Sequence, residues 1–387
     1  MPDEPARSRD PQRRSIFASA AGVLGAGLIH KNEVAHAASP PGLPVPVVSP
    51  DPQSGRKAMI GKIAIEEHFV TADAKAYLPA LGVTTEVQRH IDDGLTDVER
   101  YRLPEMDRNG VQMQVVSLTA DGVQLEPDRS KAIDVAKGAN DELAEKFLKR
   151  HPSRFACLAA VALQDPKAAA DELERAVRQL GFKGVLANGF SNLGDLNTAE
   201  YYDDPKFLPF WERVAALDVP FYLHPRGPLD SQRAIYAGHP ELLGPAWAFG
   251  VETGTHALRL ITSGLFDRFP SLRLVIGHLG EGLVPMMWRA QNRFDYAPFG
   301  KVLKKPLAQY LKDHFYISTS GNFHTPTLLN VIAEMGVDRV LFAVDYPYER
   351  SDQAASWFDN CPIGEEARQK IGRLNAITLF KLQGLAP

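Results

Sequence analysis

Six places in the chain carry residues whose type and spacing suit chemistry on an oxygen-rich substrate. Glu66 and His68 stand two apart at the end of the apolar run Lys62–Phe69. Asn188 ends a second such run, and His224 ends a third, followed by Pro225-Arg226. His278 and Glu281 form an H-x-x-E pair between glycines, and Ser320 and Asp345 close the last two apolar runs. On an extended strand, residues i and i+2 point to the same face, so Glu66 and His68 can converge while Glu67 turns away. One carboxylate with two imidazoles, completed by Asp345, is a donor set for one divalent ion, Zn²⁺ or Mn²⁺. Glu66, His68, His224 and Asp345 are therefore the expected metal ligands. No cysteine lies near them, so a soft thiolate site is not expected. A buried histidine at one strand end is usually structural. Polar residues at six strand ends are harder to explain that way, because each would need its own buried partner.

Such residues need a scaffold that brings strand ends together. From residue 60 onward, short apolar runs alternate with longer amphipathic ones, the pattern of βα units on a parallel sheet. The strands expected are 62–69, 111–118, 155–161, 182–188, 219–224, 272–279, 315–320 and 339–345. Asp165 before Pro166 predicts a helix start, and Gly181 its stop; Thr96 with Glu99 predicts a capping box, and Gly110 closes the helix carrying Glu105. Eight such units predict an α/β fold, a (β/α)₈ TIM barrel, whose chemistry sits at the C-terminal strand ends. A doubly wound sheet would place a glycine-rich turn after its first strand; here that strand ends Glu66-Glu67-His68-Phe69. His90, His151, His239, His314 and His324 fall in expected loops or helix ends, and His256 in a helix as a packed or surface residue. Trp211, Trp247, Trp288 and Trp357 sit at helical positions and are expected to pack in the core.

Composition narrows the function class. The 387 residues carry a net charge of −4 with no long basic run, which argues against a nucleic-acid partner. The two cysteines, Cys157 and Cys361, show no pairing signal. Residues 1–38 read as an export signal: Arg13-Arg14 followed by Ser15-Ile16-Phe17, an apolar run to Ile29 too short to span a bilayer, and the small-x-small site Ala35-His36-Ala37. Its paired arginines resemble a twin-arginine signal, so a periplasmic location is expected, or a cytoplasmic one if the signal is silent. No stable membrane insertion is expected. Residues 39–58, with six prolines, read as an extended linker, and 59–387 as the catalytic domain.

Taken in order, several stretches carry a family likeness. They are Gly61–Phe69, Val185–Ser191, Asp218–Arg226, Gly238-His239-Pro240 with Leu242–Pro245, Gly277–Gly282 with Met287-Trp288-Arg289, Ser318–Phe323 and Phe342–Pro347. With them the chain resembles the amidohydrolase superfamily in its aromatic-acid decarboxylase branch, most of all the γ-resorcylate (2,6-dihydroxybenzoate) type. The resemblance implies a metal-dependent, non-oxidative decarboxylase of a hydroxybenzoate, reversible with CO₂, with no organic cofactor. It implies Glu66, His68, His224 and Asp345 as metal ligands, Asp345, His278 and Glu281 as catalytic groups, and Asn188 and Arg289 as substrate contacts. A small aromatic acid is the implied partner, and a homodimer or homotetramer the implied assembly. The Glu-x-His pair separates this branch from superfamily hydrolases with His-x-His. The segment Thr71–Leu95, which covers substrate in such enzymes, departs from the γ-resorcylate pattern. The alternative on the same barrel is a metal-dependent hydrolase of a lactone or amide, in which the metal activates water.

Overall fold

The computed structural model describes residues 58–78 and 82–382. The expected export signal and all of the linker except Ala58 lie outside the described residues. Eight parallel strands form one sheet in chain order: β1 (Lys62–Phe69), β2 (Val111–Leu118), β3 (Phe155–Ala159), β4 (Gly184–Asn188), β5 (Phe221–His224), β6 (Leu274–Ile276), β7 (Phe315–Ser318) and β8 (Val340–Leu341). The segment following β8 then runs beside β1. Ile65 N–H donates to Phe342 O at 3.2 Å, Asp345 N–H to Glu66 O at 3.0 Å and His68 N–H to Tyr346 O at 2.8 Å. These bonds join the first and last strands, so the sheet is a barrel and not a doubly wound layer.

β1 and β2 have the expected bounds; β4 and β5 end where expected but begin two residues later, and β3, β6, β7 and β8 stop short of their expected ends. At the mouth several residues leave the extended conformation. His278, Leu279 and Glu281 take positive φ (53°, 55° and 52°), and so does Asp345 (79°). For a non-glycine residue the left-handed conformation costs roughly 1–2 kcal/mol. These residues lie just beyond β6 and four residues beyond β8, where the chain carries His278 and Asp345 into the centre.

Inside the barrel, Ile63, Ile65, Met113, Val115, Leu158, Leu186, Tyr222, Val275 and Leu341 pack with Leu379 and Phe380 of the last helix, Asn375–Phe380. Each large apolar side chain contributes about 1.5–3 kcal/mol on burial. This layer plugs one end and leaves the polar residues at the other.

β1 contains a bulge that matters for the site. Ala64 pairs with Gln114 but Glu67 with Val116, three steps against two. Plain alternation from Ile63 and Ile65 would carry Glu67 inward; the extra residue resets the phase, and Glu66 and His68 face the axis instead.

Local signals held unevenly. Asp165 caps its helix, its Oδ1 accepting from Lys167 N–H (3.1 Å) and Ala168 N–H (3.0 Å), and Gly181 ends the run at φ 82°. The expected Thr96–Glu99 capping box does not form. Thr96 is the last residue of the preceding helix, its hydroxyl donating to Asp92 O, and Asp97 is the cap that accepts from Arg100 N–H. Trp211 is buried as expected, but Trp247 and Trp288 are 60% and 74% exposed, so core packing fails for those two.

Candidate metal centre

Each expected ligand reaches the centre from a different part of the barrel. Glu66 and His68 come from β1, His224 from the end of β5, and Asp345 from the turn after β8. One donor atom from each lies within 4.8 Å of all the others. His68 Nε2 is 3.1 Å from Asp345 Oδ1, and His224 Nε2 is 3.3 Å from Glu66 Oε1. Four donors about 2.1 Å from one ion would be about 3.4 Å apart in a tetrahedron.

The hydrogen bonding shows what these atoms need. His224 Nδ1 faces Pro225 O at 3.0 Å, and a carbonyl accepts only, so Nδ1 carries the proton. His68 Nδ1 faces Ser117 Oγ at 3.3 Å. With Nδ1 protonated, each Nε2 presents a bare lone pair. Glu66 Oε1, His68 Nε2, His224 Nε2 and Asp345 Oδ1 are all buried with no hydrogen-bond partner among the described residues. Although close enough to count as ion pairs, the His68–Asp345 and His224–Glu66 contacts set lone pair against lone pair. A cation bound by all four satisfies them at once. Space is kept for it: a Cβ on Gly277 would lie 2.9 Å from both Glu66 carboxylate oxygens.

The other oxygen of Glu66 is held separately. The hydroxyls of Tyr222, Ser318 (2.9 Å) and Ser320 gather on Oε2. This divides the carboxylate into one anchored oxygen and one free for the ion. Burial alone would raise Glu66, yet the charge of His278 brings it down to about 2. Beneath β1, the wholly buried Arg102 donates to His68 O, to Gly94 O at 3.0 Å and to Gln114 Oε1 at 2.9 Å. Glu67 points outward as expected, accepting from Gln114 Nε2 (3.2 Å) and Val344 N–H (3.0 Å), and burial raises it well above the carboxylate range.

His278 completes the centre. Its Nδ1 is 2.6 Å from Glu281 Oε1 and its Nε2 3.4 Å from Asp345 Oδ2. Burial opposes its charge, but Glu281, Glu66 and Asp345 outweigh burial and raise it well above the usual imidazole value. Asp345 is pulled the other way: burial would raise it, and the bond and charge of His278 lower it far more. The shared proton therefore rests on His278, with Asp345 as the carboxylate. Burial beside Asp345 also pushes Glu349 up to about 7.

Asn188 reaches the mouth, paired with His224 across β4 and β5. Its Nδ2 faces Gln124 Oε1 at 3.4 Å, and its Oδ1 is buried without a partner. Arg289, the other expected substrate contact, stands on a helix and not at a strand end. It lies exposed on the helix Leu283–Tyr296, whose buried face is Leu283, Val284 and Met287. His256 is packed, accepting from Tyr202 N–H at 3.2 Å, and burial lowers it to about 3.

Sequence reasoning missed Tyr222, Ser318, Arg102 and Asp121. Tyr222 and Ser318 lie two residues before His224 and Ser320, so strand alternation carried one step down would have found them. Arg102 and Asp121 carried no such signal. Asp121, in the loop after β2, has a buried Oδ1 with no partner among the described residues, and burial raises it despite the charges of Arg226 and His224.

Residues 68–382 match the amidohydrolase family. A γ-resorcylate decarboxylase of Rhizobium sp. (strain MTP-10005) is 49% identical over 332 residues, 84% of this chain and 100% of that one. The crystal structure of a 2,6-dihydroxybenzoate decarboxylase complexed with 2,6-dihydroxybenzoate superposes at TM-score 0.81 with 48% identity, covering 84% of this chain and all of that one. A dihydroxybenzoic acid decarboxylase from Polaromonas sp. JS666, with bound manganese and the inhibitor 2-nitroresorcinol, superposes at TM-score 0.79 with 46% identity, covering 84% and 98%.

Proposed function

The chain belongs to the amidohydrolase family, and from that premise we propose that it is a divalent-metal-dependent, non-oxidative decarboxylase of a 2-hydroxybenzoate such as 2,6-dihydroxybenzoate. The observation that carries this reading is the set of four partnerless donor atoms, Glu66 Oε1, His68 Nε2, His224 Nε2 and Asp345 Oδ1, beside a His278–Asp345 pair that shares a proton. An ion held by those four atoms supplies Lewis-acid polarisation and a template for a neighbouring carboxylate and phenol.

The chain's own groups handle the proton. Glu281 holds His278 by Nδ1 and keeps it charged. His278 passes the proton through Nε2 to Asp345 Oδ2, and Asp345 delivers it to the ring carbon bearing the carboxylate. The carbon–carboxylate bond then breaks, its electron pair restores the aromatic ring, and CO₂ leaves. The phenol oxygen carries the charge that develops, which removes any need for an organic electron sink. Asn188 faces the ring from the β4 side. The relatives described above are decarboxylases, which weighs against hydrolysis of a lactone or amide. The test is CO₂ release from a panel of 2-hydroxybenzoates by the metal-loaded protein, against ring opening of aromatic lactones. Lactone opening without CO₂ release would overturn the reading.

Two further parts of this reading concern the whole protein. We propose a homo-oligomer, supported by the exposed apolar side chains Trp247, Val251, Met286, Trp288, Phe299 and Val302. Light scattering on the purified protein tests it, and a monomer at micromolar concentration would refute it. We propose twin-arginine export, supported by Arg13-Arg14 and the apolar run that follows. Cell fractionation should find the protein in the periplasm, and replacing both arginines by lysine should retain it in the cytoplasm.

A further inference from the structure

One polar group at the mouth has no task in the chemistry above. Asp121 follows β2 in a loop tied down on several sides. Its N–H donates to Tyr77 O at 3.2 Å, within the Thr71–Leu95 segment that departs from the γ-resorcylate pattern. Two residues earlier, Thr119 Oγ1 meets Tyr348 O–H at 2.6 Å, and the Tyr348 ring stands 5.9 Å from that of the ligand His68. One residue later, a Cβ on Gly122 would lie 3.0 Å from Asn188 Nδ2. The Asp121 carboxylate interacts electrostatically with Arg226 and His224 on one side and with Tyr348 on the other. With Gly122 against Asn188 and Thr119 against Tyr348, the loop stands between β4 and the β8 turn, on the side of the centre occupied by Asn188.

The carboxylate is supported by the Gly227 amide, but Oδ1 is buried and has no donor among the described residues. Asn188 Oδ1 is in the same condition. The loop and its neighbours thus leave two acceptor oxygens, and a carboxylate is an acceptor only. The ring group that satisfies them is a hydrogen-bond donor. A methyl or a bare C–H at that place would leave a buried carboxylate oxygen unpaired, and a site built to bond a hydroxyl rejects analogues that lack it.

We propose that Asp121 is the specificity-determining residue of this enzyme: its Oδ1 accepts a hydrogen bond from a second hydroxyl on the substrate ring, selecting dihydroxybenzoates over monohydroxy and methyl analogues. The assignment rests on the decarboxylase reading and goes beyond it, because it names the residue that chooses among hydroxybenzoates.

The test compares kcat/KM of the metal-loaded protein for 2,6-dihydroxybenzoate, 2-hydroxybenzoate and 2-hydroxy-6-methylbenzoate. Wild type should prefer the dihydroxy acid. In Asp121→Ala the ratio of kcat/KM between the dihydroxy and monohydroxy acids should fall about 10- to 100-fold, the value of one hydrogen bond to a charged acceptor. Asp121→Asn keeps an acceptor without the charge and should fall between; it also carries the test if the alanine variant misfolds. Calorimetry with 2-nitroresorcinol and 2-nitrophenol, which differ by one hydroxyl, gives a binding readout independent of turnover. The preference for the former should shrink in the same variants. A ratio unchanged within threefold, or an equal loss on all three acids, would overturn the role of Asp121 and leave the decarboxylase reading standing. No CO₂ from any of the three acids with wild type would defeat that reading instead.

Discussion

Replacing Tyr222 by phenylalanine removes one hydroxyl from the group that anchors Glu66 and nothing else of comparable size. The ring is 1% exposed and packs in the barrel interior, so phenylalanine keeps the apolar contacts. A hydrogen bond to a charged acceptor contributes about 1.5–3 kcal/mol. Ser318 at 2.9 Å and Ser320 remain on the same oxygen and take up part of the loss, which points to the lower figure. Glu66 then swings more freely and presents Oε1 to the ion less often. A loss of about 1.4 kcal/mol weakens metal binding about tenfold, within the range for groups that orient metal ligands. The double change Ser318→Ala with Ser320→Ala removes two hydroxyls and should cost more. Competition with a chromophoric chelator, using Mn²⁺ and Zn²⁺ in turn, measures both variants, with a thermal melt to confirm folding. If both bind metal within twofold of wild type, the anchoring argument is wrong, and Oε2 is held by packing alone.

Other outcomes follow from the same geometry. Asp345→Asn removes a ligand charge and the acceptor of the His278 proton, and should lower kcat for CO₂ release about 10²- to 10⁴-fold; activity near wild type would exclude Asp345 as the acid. Arg102→Met leaves His68 O, Gly94 O and Gln114 without their donor and should cost at least about 3 kcal/mol in urea unfolding; a loss under 1 kcal/mol would mean those acceptors find other partners. In the metal-free protein, Glu66 is depressed to about 2 from an ordinary value of about 4.3. Its contribution, about 3 kcal/mol, is full above the ordinary value and is lost as pH falls through 2. Glu66→Gln should therefore flatten the loss of stability between about pH 4.5 and 2, and an unchanged acid limb would place that loss elsewhere. Stripping the metal should lower the melting temperature, since an ion at 100 times its dissociation constant contributes about 2.7 kcal/mol; returning Mn²⁺ should restore it.

The chain's own pattern was enough for the barrel and for most of the centre. Buried parallel strands announce themselves as short β-branched runs, and the polar residues that interrupt such runs at one end are conspicuous. That is why Glu66, His68, His224, His278 and Asp345 were legible without coordinates, and why Asp165 could be read as a cap. These features depend on neighbours within a few residues. The remainder depends on closure. The bulge that turns Glu66 inward is a mismatch between β1 and β2 and has no mark on either strand alone. The positive φ of His278 and Asp345 belongs to turns shaped by the strands they leave. Trp247 and Trp288 have core-like identities but lie on outer helix faces that a periodic pattern cannot orient. Asp121 is one aspartate among many in the chain. Only when Gly122 meets Asn188 and Tyr77 caps the loop does its buried oxygen stand without a donor, because what an atom lacks is decided by everything packed around it.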